Sequence, residues 1–191
     1  MTQRAGHRRA YVGVDPGKGG ALVAACYDPG TALPTLDVLP MPVAGSGKNE
    51  RVQGWVVYSW LAGVIAQWGS VEAGIERVGA RPMQGVVSTF NFGHATGVVY
   101  GVMSAVGLSM QEVDPKAWGK SMLAGRPRQS YKQRKASAVL VAGDLFPELR
   151  EHLLLRAGKN RGRYRAESGV ADAALIAAYM SGAHASAKAV G

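Results

Sequence analysis

Residues 11–23 read YVGVDPGKGGALV. An apolar run, Tyr11–Val14, has the composition of a buried strand and ends on a carboxylate, Asp15. A turn with glycine at positions 17, 19 and 20 follows, and a second apolar run, Ala21–Tyr27, leaves it. A carboxylate at the end of a buried strand has three readings. It sits beside the glycines to cradle a phosphate, it holds a metal ion, or it is the first residue of an ordinary Asp-Pro-Gly turn.

Working outward, Leu36–Met41 reads as a third strand after the turn residues 28–30 and Pro34, and 43–50 as a small-residue loop. Helical spacing of apolar residues covers Val52 to Trp68, with Trp55, Trp60 and Trp68 on its buried face. Val71–Val78 is a fourth strand with Glu76 near its far end, and residues 79–93, GARPMQGVVSTFNFG, begin as a loop. A helix is expected from Phe92 to Val106, carrying Gly93, Gly97 and Gly101 on one face where another backbone can approach. Residues 108–115 form a fifth strand, Ser130–Phe146 a third helix, 156–165 a basic loop, and Gly169–Met180 a last helix. This order describes an α/β fold, a mixed five-stranded sheet flanked by helices. One domain, 10–182, lies between a basic N-terminal arm, 1–9, and a tail, 183–191.

Composition sets the partners. The chain of 191 residues is 47% hydrophobic and 18% charged, which is the balance of a globular domain. No apolar stretch is long enough to span a bilayer and no signal core follows the N-terminus, so a cytoplasmic or organellar protein is expected. The single cysteine, Cys26, leaves no internal disulfide and no cysteine-based zinc site. Eleven Lys and Arg against three acids between Arg126 and Arg165 account for eight of the nine net positive charges. Such clustering suits a polyanion-binding face, although a solvated helix beside a basic loop would look the same.

Among the acids on ordered elements are Asp15, Glu76 and Asp172. Brought together they would repel one another unless a cation compensated them. Oxygen-only ligation selects Mg²⁺ or Mn²⁺ over zinc, and two such ions roughly 3.5–4 Å apart form the clamp for in-line attack on a phosphodiester. Each acid also has a plain structural role open to it: Asp15 in a turn, Glu76 paired with Arg77, Asp172 at the positive end of a helix.

The segments VGVDPGKGGALV, GIERVGARPMQGVVSTFNFG, VDPKAWGKSML and GVADAALIAAY occur in the order found in RuvC-type Holliday junction resolvases. The chain resembles the phage and organellar branch of that family over about residues 10 to 182. The resemblance implies the RNase H-like fold, a homodimer, and Mg²⁺-dependent symmetric cutting of four-way DNA junctions. It implies that Asp15, Glu76 and Asp172 are metal ligands and that Lys132 is the basic residue at the scissile phosphate. DNA contacts are expected at Arg81, Gln84, Phe90, Lys116, Lys120, Arg126, Arg128, Lys135, Lys159, Arg161 and Arg163. Phe90 and Phe92 fall in the segment Met83–Phe92 that resembles the loop probing bases at the crossover; the plain alternative places both in the core, Phe92 more readily than Phe90.

One position departs from the family. A histidine or aspartate usually stands four residues before the final acid, on the same helix face. Here it is Ser168, with Glu167 beside it as a possible substitute ligand, or else Ser168 is only a helix N-cap. That departure keeps a junction-binding protein that has lost cleavage in view, together with an RNA-processing nuclease of the same fold. Trp118, between Lys116 and Lys120, either packs in the core or flanks the DNA path.

Overall fold

The computed structural model describes residues 8–28, 31, 33–79, 85–123, 130–156, 164–166 and 168–182. Strands β1 (Arg9–Asp15), β2 (Ala21–Tyr27) and β3 (Thr35–Pro40) are followed by a two-residue pair, β4 (Val43–Ala44) and β5 (Arg51–Val52). Helix α1 (Gly54–Trp68), strand β6 (Val71–Glu76), helix α2 (Val86–Ala105) and strand β7 (Met110–Val113) complete the first half. The second half is α3 (Pro115–Met122), α4 (Tyr131–Leu145), the single-turn α5 (Arg150–Leu153), a small ribbon of β8 (Leu154–Arg156) and β9 (Tyr164–Ala166), and α6 (Ser168–Met180).

The main sheet has the order β3-β2-β1-β6-β7. Strands β1, β2 and β3 pair antiparallel, and β6 pairs parallel with both β1 and β7. This is the mixed five-stranded sheet flanked by helices that the sequence implies. Side chains alternate across it with the period of two that any strand imposes. On one face Ala10, Val12, Val14, Leu22, Ala24, Ala73 and Ile75 form a core with α1 and α2. On the other, Ala21 and Val23 pack with residues of α3, α4 and α6.

Helix α6 lies directly on that second face. A Cβ on Gly13 of β1 would stand 2.0 Å from the Ala173 carbonyl oxygen and 2.4 Å from the Ala177 nitrogen. One on Gly74 of β6 would meet the Met180 side chain at 2.7 Å. At its other end, a Cβ on Gly169 would fall 2.2 Å from the Gly19 carbonyl oxygen. The glycine turn therefore answers to packing: Gly20 closes it by donating to the Gly17 carbonyl at 2.8 Å, and Gly19 receives the helix. Residues Gly169 to Ala178 are all buried between the sheet and α4, which explains why the helix is built of alanine with little polar surface.

Three local expectations are corrected. Helix α2 starts at Val86, so the C-terminal part of the supposed probing loop is helical; Val86, Val87, Ser88 and Thr89 have low helix propensity and hid the onset. Helix α3 was not foreseen, although Asp114 caps it by accepting from the Lys116 and Ala117 N–H groups and Pro115 takes its first turn. Trp55 is 73% exposed, where a buried face was expected; Trp68 is buried, and the half-buried Trp60 donates to Asp37 at 3.0 Å. Gly93, Gly97 and Gly101 have nothing within 4 Å of a would-be Cβ, so among the described residues no backbone approaches them and their face of α2 is open. The third helix begins as expected, with a reciprocal capping box between Ser130 and Gln133.

Gly13→Ala should lower stability by about 1–3 kcal/mol or more, because the methyl group meets backbone that cannot step aside. Gly19→Ala, which adds a methyl into open space, should stay within about 0.5 kcal/mol. Urea midpoints of the two variants beside the parent measure this; equal midpoints would refute the tight seating of α6.

Candidate active site

The alternation of β1 and β6 decides where the acids go. Gly13 and Gly74 face α6, so Asp15 and Glu76, two residues further on each strand, face the same way. Val14 pairs with Ile75, which sets the two carboxylates at neighbouring strand ends. Asp172 descends from α6, one residue before the Ala173 carbonyl that rests on Gly13. It lies in the second turn of the helix and is fully buried, so a surface role at the helix N-terminus does not describe it.

Each acid has a different set of partners. Asp15 accepts a hydrogen bond from the Gly17 N–H at 3.3 Å. Burial pushes its carboxyl up to about 7; Lys135 opposes the shift, while Asp172 and Glu76 add to it. Glu76 is also raised, by burial first and then by Asp172, against the hydrogen bond it accepts from the Trp118 indole N–H at 3.2 Å. Asp172 holds the Lys135 ammonium on Oδ2, while its Oδ1 is buried with no hydrogen-bond partner among the described residues. Burial pulls the Lys135 ammonium down, but the charge and hydrogen bond of Asp172, with Asp15 behind it, outweigh this and raise it. The carboxylates thus feel one another, and one lysine serves them all.

The lysine beside the acids is Lys135, where Lys132 was expected. Lys132 is exposed one turn nearer the start of α4. Arg77, the alternative partner for Glu76, pairs with Asp114 instead. Trp118 is fully buried and braces Glu76, and the Arg134 guanidinium lies 5.7 Å from its ring centre. The signal for Trp118 was the Asp-Pro helix start: it turns the fourth residue of α3 toward the sheet.

The remaining expectations divide by position. Lys116 and Lys120 are exposed on α3. Phe90 is 64% exposed on the first turns of α2, its ring 6.4 Å from that of His94. Phe92 is half-buried against the Asp15 turn; a Cβ on Gly17 would lie 3.4 Å from its ring. Ser168 is half-buried at the first residue of α6, four before Asp172. Arg81, Gln84, Arg126, Arg128, Lys159, Arg161, Arg163 and Glu167 lie outside the described residues.

Three carboxylates, one with a buried unsatisfied oxygen, form a hard donor set that fits Mg²⁺ or Mn²⁺. Among the described residues, however, no three acidic, imidazole or thiol side chains stand ready to hold an ion together. The fit therefore requires side-chain movement.

Comparison with solved structures places the fold. Thermus thermophilus RuvC in complex with Holliday junction substrate superposes with a TM-score of 0.51 at 16% identity, over 88% of this chain and 90% of that one. The chain has the fold of RuvC. Thermus thermophilus RuvC in a second structure matches with a TM-score of 0.48 at 15% identity, covering 91% and 96% of the two chains. The large terminase nuclease from thermophilic phage G20c gives 0.45 at 13% identity over 93% and 90%. No family model and no curated protein matches the sequence.

The raised Asp15 carboxyl has a consequence for the metal-free protein. Its folded value of about 7 exceeds the ordinary carboxylate range, so between about pH 4 and pH 7 the folded state holds a proton that the unfolded state lacks. The stability Asp15 contributes is complete at low pH and lost as pH rises to about 7. Asp15→Asn should flatten that fall and raise the Tm in EDTA at pH 8. Melting curves from pH 4 to 8 check it; parallel profiles for the two proteins would refute the assignment.

Proposed function

We propose that the chain is a divalent-metal-dependent endodeoxyribonuclease that resolves four-way DNA junctions as a homodimer. The observation that carries this reading is the meeting of Asp15, Glu76 and buried Asp172 at one end of the central strands, with an unsatisfied carboxylate oxygen among them. The RuvC fold supports it, and a RuvC of that fold is known bound to a Holliday junction substrate.

Asp15, Glu76 and Asp172 would hold the metal, Mg²⁺ with Mn²⁺ able to replace it. When bound, a pair of such ions supplies activation of water and neutralisation of charge on the leaving oxygen. The chain's own residues do the positioning. Trp118 fixes the Glu76 carboxylate through its indole N–H, and the Gly17 N–H orients Asp15. Lys135 offers positive charge beside the place where the scissile phosphate would lie, the role first assigned to Lys132. Water attacks phosphorus, the bond to the 3′ oxygen breaks, and a 5′-phosphate and a 3′-hydroxyl result.

Lys116, Lys120 and Lys132 would meet the backbone, with the basic segments 126–128 and 159–165 contributing further charge. Phe90, exposed at the start of α2, would stack on an unpaired base, a contact worth roughly 1–3 kcal/mol. The exposed glycines of α2 leave room for the same helix of a second protomer, so that two sites cut opposite strands. Ser168 favours one second reading, a protein that binds junctions without cutting them. It stands where an anionic or imidazole ligand is expected and carries neither.

Asp15→Asn should leave junction affinity within about threefold and reduce cleavage by at least about a hundredfold, the scale of losing a group used only in the transition state. A four-way junction incubated with Mg²⁺ or Mn²⁺, beside a binding assay at fixed salt, measures both. Undiminished cleavage by the variant would overturn the site, and tight binding with no nicking by the parent would favour the non-cutting reading.

A further inference from the structure

Asp172 is the one fully buried charged side chain among the described residues. Such a group is stable in a folded protein only with a counter-charge, and a divalent ion cannot be counted on before the site is loaded. Lys135 supplies that charge. Its ammonium sits on Oδ2 of Asp172, its side chain is 20% exposed against 1% for the acid, and its field reaches Asp15 and Glu76 as well. The other oxygen, Oδ1, is left bare. As the side chains stand, no three ligating groups among the described residues can hold an ion.

We propose that Lys135 is the resident counter-ion of the unloaded site, which holds the three carboxylates together until a divalent ion displaces it from Asp172. The inference rests on the metal-dependent reading above and adds to it that metal binding is a competition with a group of the chain itself. The chemistry suits a lysine. Its charge is a compact point on a flexible four-carbon stem, it rises from α4 rather than from the packed α6, and its partial exposure gives the head an exit. Once released, the ammonium stays beside the site, where an incoming phosphate diester can take the place of Asp172 as its partner. The same pair explains why the core tolerates a buried acid at the point where α6 rests on the sheet.

The test needs no DNA and no turnover. Lys135→Met keeps the stem and removes the charge. In EDTA at pH 8 it should melt below the parent, since Asp172 is stranded. In calorimetric titration it should bind Mn²⁺ more tightly, by roughly tenfold or more, the scale on which groups around a metal ligand tune affinity. Its Mn²⁺-induced rise in Tm should therefore exceed that of the parent. Should the variant fail to fold, ¹⁵N spectra of the parent's lysine ammonium groups, assigned with Lys135→Arg, give a direct answer. A protected Lys135 signal in EDTA should shift or vanish on saturation with Mg²⁺. Equal or weaker Mn²⁺ binding by Lys135→Met, or a Lys135 signal unmoved at saturating Mg²⁺, overturns the proposal while leaving the metal site in place. A parent that binds neither ion sinks the metal-dependent reading, and the displacement with it.

Discussion

The seating of one helix on one strand governs the rest of this molecule. At Gly13 the backbone of α6 comes so near the backbone of β1 that no side chain fits between them. Two rigid elements in backbone contact leave little freedom of height or register, since interiors pack like crystals and respond poorly to small displacements. Asp172 is next to the residue that makes this contact, and Asp15 is two residues beyond Gly13 on the same strand face. Glycine at three places, 13, 74 and 169, is therefore a statement about where carboxylates end up, although none of the three touches one.

The cost of that arrangement is electrostatic. Driving an acid-bearing helix onto the ends of two acid-bearing strands concentrates like charge in a dry place, which is why burial and mutual repulsion raise Asp15 and Glu76 together. Neutralisation comes from two kinds of donor. Fixed ones, the Trp118 indole and the Gly17 amide, are built into the scaffold and cannot follow a change in charge. The movable one is Lys135, on a separate helix. On the reading proposed above, the site needs both: rigid donors to keep the carboxylates aimed and a labile one to hold the charge balance.

How much of this was legible in the sequence follows from how local each determinant is. The seating of β6 beside β1 is not local, whereas the strands themselves and the placing of Asp15 and Glu76 at their ends depend on apolar runs and glycine turns, all readable within a dozen residues. The capping box at Ser130 is equally local. Helix α3 was also written locally, in Asp114-Pro115, yet its short amphipathic span was passed over beside the adjoining strand. The onset of α2 was hidden because Val86 and Val87 prefer strands and, being exposed, leave no burial pattern to mark the first turn. The choice of Lys135 over Lys132 is not local at all. Three residues apart on one helix, they share a face at the resolution of a sequence pattern, and only the rotation of α4 against α6 separates them. The Trp118–Glu76 bond likewise spans 42 residues and has no signature in either segment.

The charge pattern of the chain as a whole follows from the same constraint. On the proposed reading, a cluster of three carboxylates repels the phosphodiester it acts on, and one lysine does not offset them. Attraction to a nucleic acid must then come from outside the cluster and act over a longer range than the site's own field. Exposed Lys116, Lys120 and Lys132 on α3 and α4 are placed for this. Their attraction extends over about a Debye length, roughly 8 Å at physiological ionic strength, whereas the repulsion of the buried acids is confined by partial protonation and by Lys135. If the proposed function holds, acidic centre and exposed lysines form a single electrostatic design. The lysines gather the polyanion, and the centre accepts it only when further positive charge has entered.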